Sequence, residues 1–155
     1  PVTSPDFYPT MLQIADRPLI PEQHVDGVSF LPLLRGEESL PRDAVFWHYP
    51  HYSNQGGRPA CAVRAGNYKL IEFFEDEHLE LYNLREDLSE THNLAREEPE
   101  VASELRSRLR NWLTRVGARI PEPNPDWVPG GEPRRVSIGN AAAASTTISG
   151  SSGAR

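Results

Sequence analysis

With one cysteine in 155 residues, the chain has no partner for an intrachain disulfide and no thiolate set for a zinc cluster. It is short of positive charge. Its 16 Lys and Arg stand against 22 Asp and Glu, a formal net charge of −6. No basic stripe is present, and a nucleic-acid binder needs one to neutralise phosphates. No apolar run approaches the ~20 residues of a membrane-spanning helix. Apolar residues make up only 37 %, beside 15 Pro and 11 Gly. That balance supports one modest core with much loop and tail rather than two full domains. The opening residues, PVTSPDFYPT, include no Met and no signal peptide, and the compartment is not readable from them. Also missing are a Gly-rich phosphate loop, a serine elbow, and a carboxylate–histidine pair at helical spacing. Without a complete catalytic constellation, the chain reads as part of an enzyme or as an accessory module.

What is there falls into ordered blocks. Residues 1–20 read as a helix, with Ser4 as cap, Pro5 in the first turn, and Phe7, Met11, Leu12 and Ile14 at helical spacing. Pro9 either bends this helix or marks its start, and Pro18 and Pro21 end the segment. Residues 21–43 read as loop with one apolar run, Val28–Leu34, broken by Pro32. Strand-like segments follow at 44–49, 60–65, 68–74 and 78–84, with Gly66-Asn67 as a hairpin turn. These predict an antiparallel meander, and its apolar runs suggest a sheet covered on both faces. A polar connection at 84–96 carries Asp87, Glu90 and Asn93, which suit turns. An amphipathic helix then places Val101, Leu105, Leu109, Trp112, Leu113 and Val116 on one stripe and stops at Gly117. Arg106, Arg108 and Arg110 on its other faces read as solvated among glutamates. Closely spaced prolines make 121–133 irregular, and the small polar residues from Gly130 onward predict disorder.

Few residues carry chemistry. Cys61 lies mid-strand among small apolar neighbours and reads as a buried hydrophobe. His48 and His51 lie where a strand runs into a Pro- and Gly-containing loop, FWHYPHYSNQGG. Pro50 spoils a shared metal geometry, and no third ligand accompanies them. They read either as substrate contacts, with Tyr49 and Tyr52 offering ring faces, or as packing residues. Arg64 and Lys69 flank the hairpin turn and either form a small anion-holding patch or serve as ordinary surface charge. His24, His78 and His92 suggest nothing.

The blocks together resemble a known family. DFYPTMLQIAD and VDGVSFLPLLRG resemble the end of the large domain of type I sulfatases, in the alkaline-phosphatase-like superfamily. The matching residues are Asp6, Pro9, Thr10, Leu12 and Ala15, then Asp26, Gly27, Ser29, Pro32, Leu33 and Leu34. AVRAGNYKLIEFF is similar to the family's R-x-G-x-Y-K-L strand pair at Arg64, Gly66, Tyr68, Lys69 and Leu70. LELYNLREDLSETHNLA is similar to its C-terminal signature at Leu81, Tyr82, Asn83, Leu84, Asp87, Glu90, Asn93 and Leu94. The FWHYPHYSNQGG block resembles bacterial arylsulfatases and iduronate-sulfatase-like enzymes. The resemblance spans roughly residues 2–128.

It implies an α+β fold: a four-stranded antiparallel sheet packed with a long C-terminal helix, preceded by the last helix of a missing α/β sulfatase domain. The implied divisions are 1–43 (end of the large domain and linker), 44–120 (C-terminal subdomain) and 121–155 (Pro-rich, then disordered tail). The family nucleophile is a Cys or Ser in C/S-x-P-S-R, matured to formylglycine and bound to calcium. Cys61, followed by Ala-Val-Arg, is not that residue, so no catalytic or metal residue is expected here, and calcium and formylglycine belong to the parent enzyme. The resemblance assigns substrate binding to His48, His51, Tyr52 and Asn54, toward a sulfated carbohydrate or aryl sulfate. It further implies packing on an N-terminal sulfatase domain through an exposed patch including Phe7, Leu12 and Ile14, and a periplasmic or secreted parent. The competing reading is a non-catalytic carbohydrate-binding or interaction module, with Phe46, Trp47, Tyr49 and Tyr52 as a sugar platform.

Overall fold

The computed structural model describes residues 1–126; the expectation of disorder from Gly130 onward lies outside them. Residues Pro1–Glu122 form one compact unit, and Pro123–Asp126, which carry no helix or strand, belong to a second.

The four strands are β1 (Ala44–Tyr49), β2 (Ala60–Ala65), β3 (Tyr68–Phe73) and β4 (Leu79–Asn83), in sequential antiparallel order. Gly66 takes φ +56°, a conformation open to glycine at little cost, and this closes the β2–β3 hairpin with Ala65 opposite Tyr68. The third strand is one residue and the fourth two residues shorter than the apolar runs suggest, and Glu77 at φ +54° turns the chain between them.

Helix α3 (Pro99–Arg115) lies on one face of this sheet. Side chains alternate across a strand, so every second residue meets it. Ala44, Cys61, Val63, Leu70 and Leu81 pack against Ala102, Leu105, Leu109 and Leu113. Phe46 stacks on Trp112 at 5.0 Å. Leu109 has no exposed surface, so cutting it to Ala costs about 2–5 kcal/mol.

The arginines of α3 are not merely solvated. Arg106 and Arg110 both reach Glu72, a carboxylate 2 % exposed on the helix-facing side of β3; Arg106 Nη2 donates to Glu72 Oε1 at 2.7 Å. Burial alone would push the Glu72 carboxyl up, but the two guanidinium groups hold it below the usual range. Arg108 pairs with Asp43 ahead of β1.

The N-terminal segment is built differently from its sequence expectation. Thr3, not Ser4, is the cap. A 3₁₀ turn (Ser4–Asp6) leads into α1 (Phe7–Ile14), which puts Pro9 in the first α-helical turn, where its missing N–H loses no bond. The helix stops well before Pro18, because Asp16 turns left-handed at φ +53° and Arg17 N–H bonds back to Leu12 O at 2.8 Å. Pro32 does not break the apolar run; it sits in the first turn of a short helix, α2 (Leu31–Leu34). Asp6, with no exposed surface, ties the segment together. Its carboxylate accepts from Val28 N–H at 2.9 Å, from Thr3 N–H at 2.6 Å, and from both Arg42 nitrogens at 2.8 Å. Thr10 Oγ1 accepts from Phe30 N–H at 3.0 Å. A Cβ on Gly27 would lie 2.3 Å from Pro5 O, so only glycine lets the loop approach this closely.

The polar connection after β4 is structural throughout. Asn93 Oδ1 accepts from Leu81 N–H at 3.0 Å and its amide donates to Leu79 O at 3.1 Å, so one side chain replaces a neighbouring strand along β4. Asp87 accepts from the Thr91 and His92 N–H groups.

Candidate functional site

The alternation that sends Phe46 and His48 toward α3 turns Trp47 and Tyr49 to the opposite face. That face is covered at Val45 but open around Trp47 and Tyr49, in contrast to the expectation of a sheet buried on both sides. Trp47 is 43 % and Tyr49 51 % exposed. With Ala60, Ala62 and Ile71 they floor a shallow concavity of about 440 Å³. Ala62 sits at its centre, between Trp47 on β1 and Ile71 on β3.

Arg64 and Lys69 are register partners on this same face. They do not act as a pair. Lys69 Nζ donates to both Glu90 oxygens at 2.7 Å and is neutralised. Arg64 pairs with no acid among the described residues, and its buried Nε has no hydrogen-bond partner. The rim therefore carries one uncompensated guanidinium.

The four residues expected to bind substrate are spread over different environments. His48 lies on the α3 side of β1, where Nε2 donates to Arg119 O at 2.9 Å and the ring meets Phe74 edge-on at 5.5 Å. A carbonyl oxygen only accepts, so the Arg119 contact calls for the proton on Nε2, and the buried Nδ1 has no hydrogen-bond partner among the described residues. His51 is exposed beyond the end of β1 and packs edge-on against Tyr49 at 5.6 Å, at the border of the open face. Tyr52 and Asn54 are exposed on the 50–59 loop. Tyr52 hydroxyl donates to Glu75 Oε1 at 2.5 Å, and this bond, before the neighbouring charge, raises the phenol above its ordinary range. Arg58 binds the same Glu75 and also Asp76, and lies 4.9 Å over the Phe73 ring. These contacts pin the base of the loop to the β3–β4 turn and leave His51 and Asn54 outward. Arg58 and Glu75 were not singled out from sequence; an Arg closing a Gly-Gly loop and an acid in the facing turn were the only signals.

Cys61 is 2 % exposed and its Sγ lies 3.7 Å from Glu72 O. Burial, then the nearby Glu72 charge, pushes the thiol up to about 12, so it is neither nucleophile nor metal ligand near neutral pH. Among the described residues no three His, Cys, Asp or Glu side chains converge to hold a metal ion. Among the described residues no acid cluster fits a calcium site, and buried Cys61, followed by Ala-Val-Arg, does not fit a formylglycine precursor. Among the same residues no helix is long and apolar enough to cross a membrane.

Comparison with known proteins agrees with this geometry. Residues 2–117 match the family model described as N-sulphoglucosamine sulphohydrolase, C-terminal. A sulfatase of Formosa agariphila is 39 % identical over 128 residues, covering 73 % of this chain and 23 % of that protein. A Delta 4,5-hexuronate-2-O-sulfatase of Bacteroides thetaiotaomicron is 32 % identical over 116 residues, covering 71 % and 23 %. A solved structure of a protein in complex with its substrate D-glucosamine-2-N,6-O-disulfate superposes with a TM-score of 0.60 at 27 % identity, covering 72 % of this chain and 24 % of that one. The chain thus spans about a quarter of the relatives it matches. Its sequence motifs, its four-stranded sheet with one long helix, and these matches agree: the chain belongs to the sulfatase family, whose C-terminal domain it forms.

Proposed function

We propose that this domain serves a sulfuric ester hydrolase whose nucleophile and metal site lie on a large N-terminal portion, and that it supplies substrate-recognition surface to that portion. The observation carrying this reading is the 50–59 loop. Its base is held by Tyr52, Arg58 and Glu75, while His51, at the edge of the open sheet face, and Asn54, farther along the loop, stay exposed. A loop fixed at its base and polar at its tip presents hydrogen-bonding groups without a large ordering penalty. His51 donates to a sulfate or sugar oxygen, Asn54 adds an amide, and Tyr52 orders the loop between them. His48 contributes indirectly, because its bond to Arg119 O holds the segment after α3 against β1. A sulfated carbohydrate is the favoured substrate class, since relatives are named for hexuronate sulfate and glucosamine disulfate.

The test uses the complete sulfatase polypeptide that carries this domain. His51→Ala should lower kcat/KM for a sulfated disaccharide by roughly tenfold, the worth of one hydrogen bond to a charged group, with unfolding unchanged. Unchanged kinetics would return His51 to a packing role. A coding sequence with no sulfatase portion ahead of Pro1 would refute the proposal.

A further inference from the structure

We infer that the tip of the 50–59 loop selects an uncharged, hydroxyl-bearing sugar beside the scissile sulfate, and that Asn54 and Gln55 make the selection. This rests on the reading above and names the chemistry that the recognition surface accepts.

The tip is a closed turn. Ser53 N–H donates to Gly57 O at 2.9 Å, Gly56 N–H to Ser53 O at 3.2 Å, and Gly57 N–H to Ser53 Oγ at 2.8 Å. Asn54 and Gln55 are the two central residues of this turn, and both are exposed. The backbone and the serine hydroxyl are spent on holding the turn, so the apex offers two primary amides.

Charge at the loop is already settled, with a surplus of acid. Arg58 is the only Lys or Arg of the loop, and it binds both Glu75 and Asp76. Two carboxylates against one guanidinium leave the loop base at −1. Glu77, next in the facing turn, pairs with Arg106 and Arg110, which also hold Glu72, so those four charges balance. Other cations stand away from the tip. Arg64 is the register partner of Val45, about 13 Å along the strand from Tyr49, where the loop leaves the sheet. Arg119 meets the sheet on the α3 side through His48, whereas His51 packs on Tyr49, which faces the other way.

This arrangement suits hydroxyls and rejects anions. An amide offers N–H donors and a carbonyl acceptor, and a sugar hydroxyl offers both in return. A carboxylate or a second sulfate only accepts, so the amide oxygens would face its lone pairs. Its charge would also meet the acid surplus at the loop base as a like charge. The loop therefore discriminates by repulsion as well as by attraction.

Steady-state hydrolysis by the complete sulfatase polypeptide tests this with two disaccharides that carry the same scissile sulfate ester. One has a neutral hexose as the second sugar, the other a hexuronate. At low salt kcat/KM should be severalfold higher for the neutral one, and the gap should narrow as salt screens the repulsion. Asn54→Ala and Gln55→Ala should each lower kcat/KM for the neutral disaccharide by roughly fivefold, the worth of one neutral hydrogen bond, and change the hexuronate one little. Gln55→Lys should move the preference toward the hexuronate. Thermal unfolding of each variant checks that the domain stays folded. Equal use of the two disaccharides, or a preference for the hexuronate by the parent, overturns the inference. So do alanine variants that lose equally on both substrates, which would make the tip merely structural. A loss in His51→Ala on both disaccharides, with no difference between them in the parent, defeats this inference alone. No turnover of either disaccharide defeats the reading beneath it as well.

Discussion

Arg64 and Lys69 stand directly opposite each other across β2 and β3, yet only Lys69 meets an acid, Glu90, at 2.7 Å. Two cations that look equivalent beside a hairpin turn therefore have different roles. One is neutralised within the domain, and the other is left on an apolar surface. Lys69→Ala should destabilise the isolated domain more than Arg64→Ala does, since it strands Glu90 while Arg64 loses no ion pair. Thermal unfolding of both variants decides this, and the reverse order would contradict the pairing.

Arg42 and Asp6 form the central tie of the N-terminal segment, with Asp6 fully buried and Arg42 nearly so. Arg42→Ala leaves an uncompensated buried carboxylate and should cost about 3 kcal/mol in urea unfolding. Arg42→Lys should recover part of that, because a point charge replaces only one arm of the bidentate fork.

Acid should weaken the fold through the same kind of group. Burial pushes Asp6 up, but Arg42 and the Val28 and Thr3 N–H groups hold its carboxyl far below the usual range, and Glu72 is lowered by its arginines. A depressed carboxyl binds fewer protons folded than unfolded, so its stabilisation is complete above about pH 5 and is lost as pH falls below about 4. Asp6→Asn should flatten this acid limb and lower the plateau. A wild-type domain with constant stability from pH 6 to about pH 3 would contradict the assignment.

Cys61 should be silent to a thiol reagent in the folded chain and react as one thiol in denaturant, given its burial and a thiol pushed up to about 12. Fast labelling of the native protein would mean that β2 opens far more readily than its packing implies.

Much of this architecture is written in local pattern. The strands announce themselves by β-branched and aromatic runs, Gly66-Asn67 marks a turn, and the Leu105, Leu109, Leu113 stripe marks the helix face that packs. What stayed hidden depends on groups far apart in the chain. Arg42 reaches Asp6 across 36 positions, and Arg106 reaches Glu72 across 34, distances over which no periodicity operates. The α3 arginines looked solvated because a single acid inside the apolar run LIEFF does not say that it will be buried. The helix around Pro9 is shorter than its proline boundaries predict because left-handed Asp16, rather than either later proline, stops it. At the candidate site, strand alternation separates His48 from His51, though three positions apart in sequence they look like a pair.

The central claim is that this domain recognises substrate for a reactive centre located elsewhere on a sulfatase. Hydrolysis of a sulfated disaccharide, measured side by side for the 155-residue chain, the complete polypeptide and its His51→Ala form, tests it most directly. The account predicts no turnover by the chain alone, turnover by the complete polypeptide, and a loss of kcat/KM in the variant with its fold intact. Turnover by the 155-residue chain, or a variant indistinguishable from the parent, would contradict it.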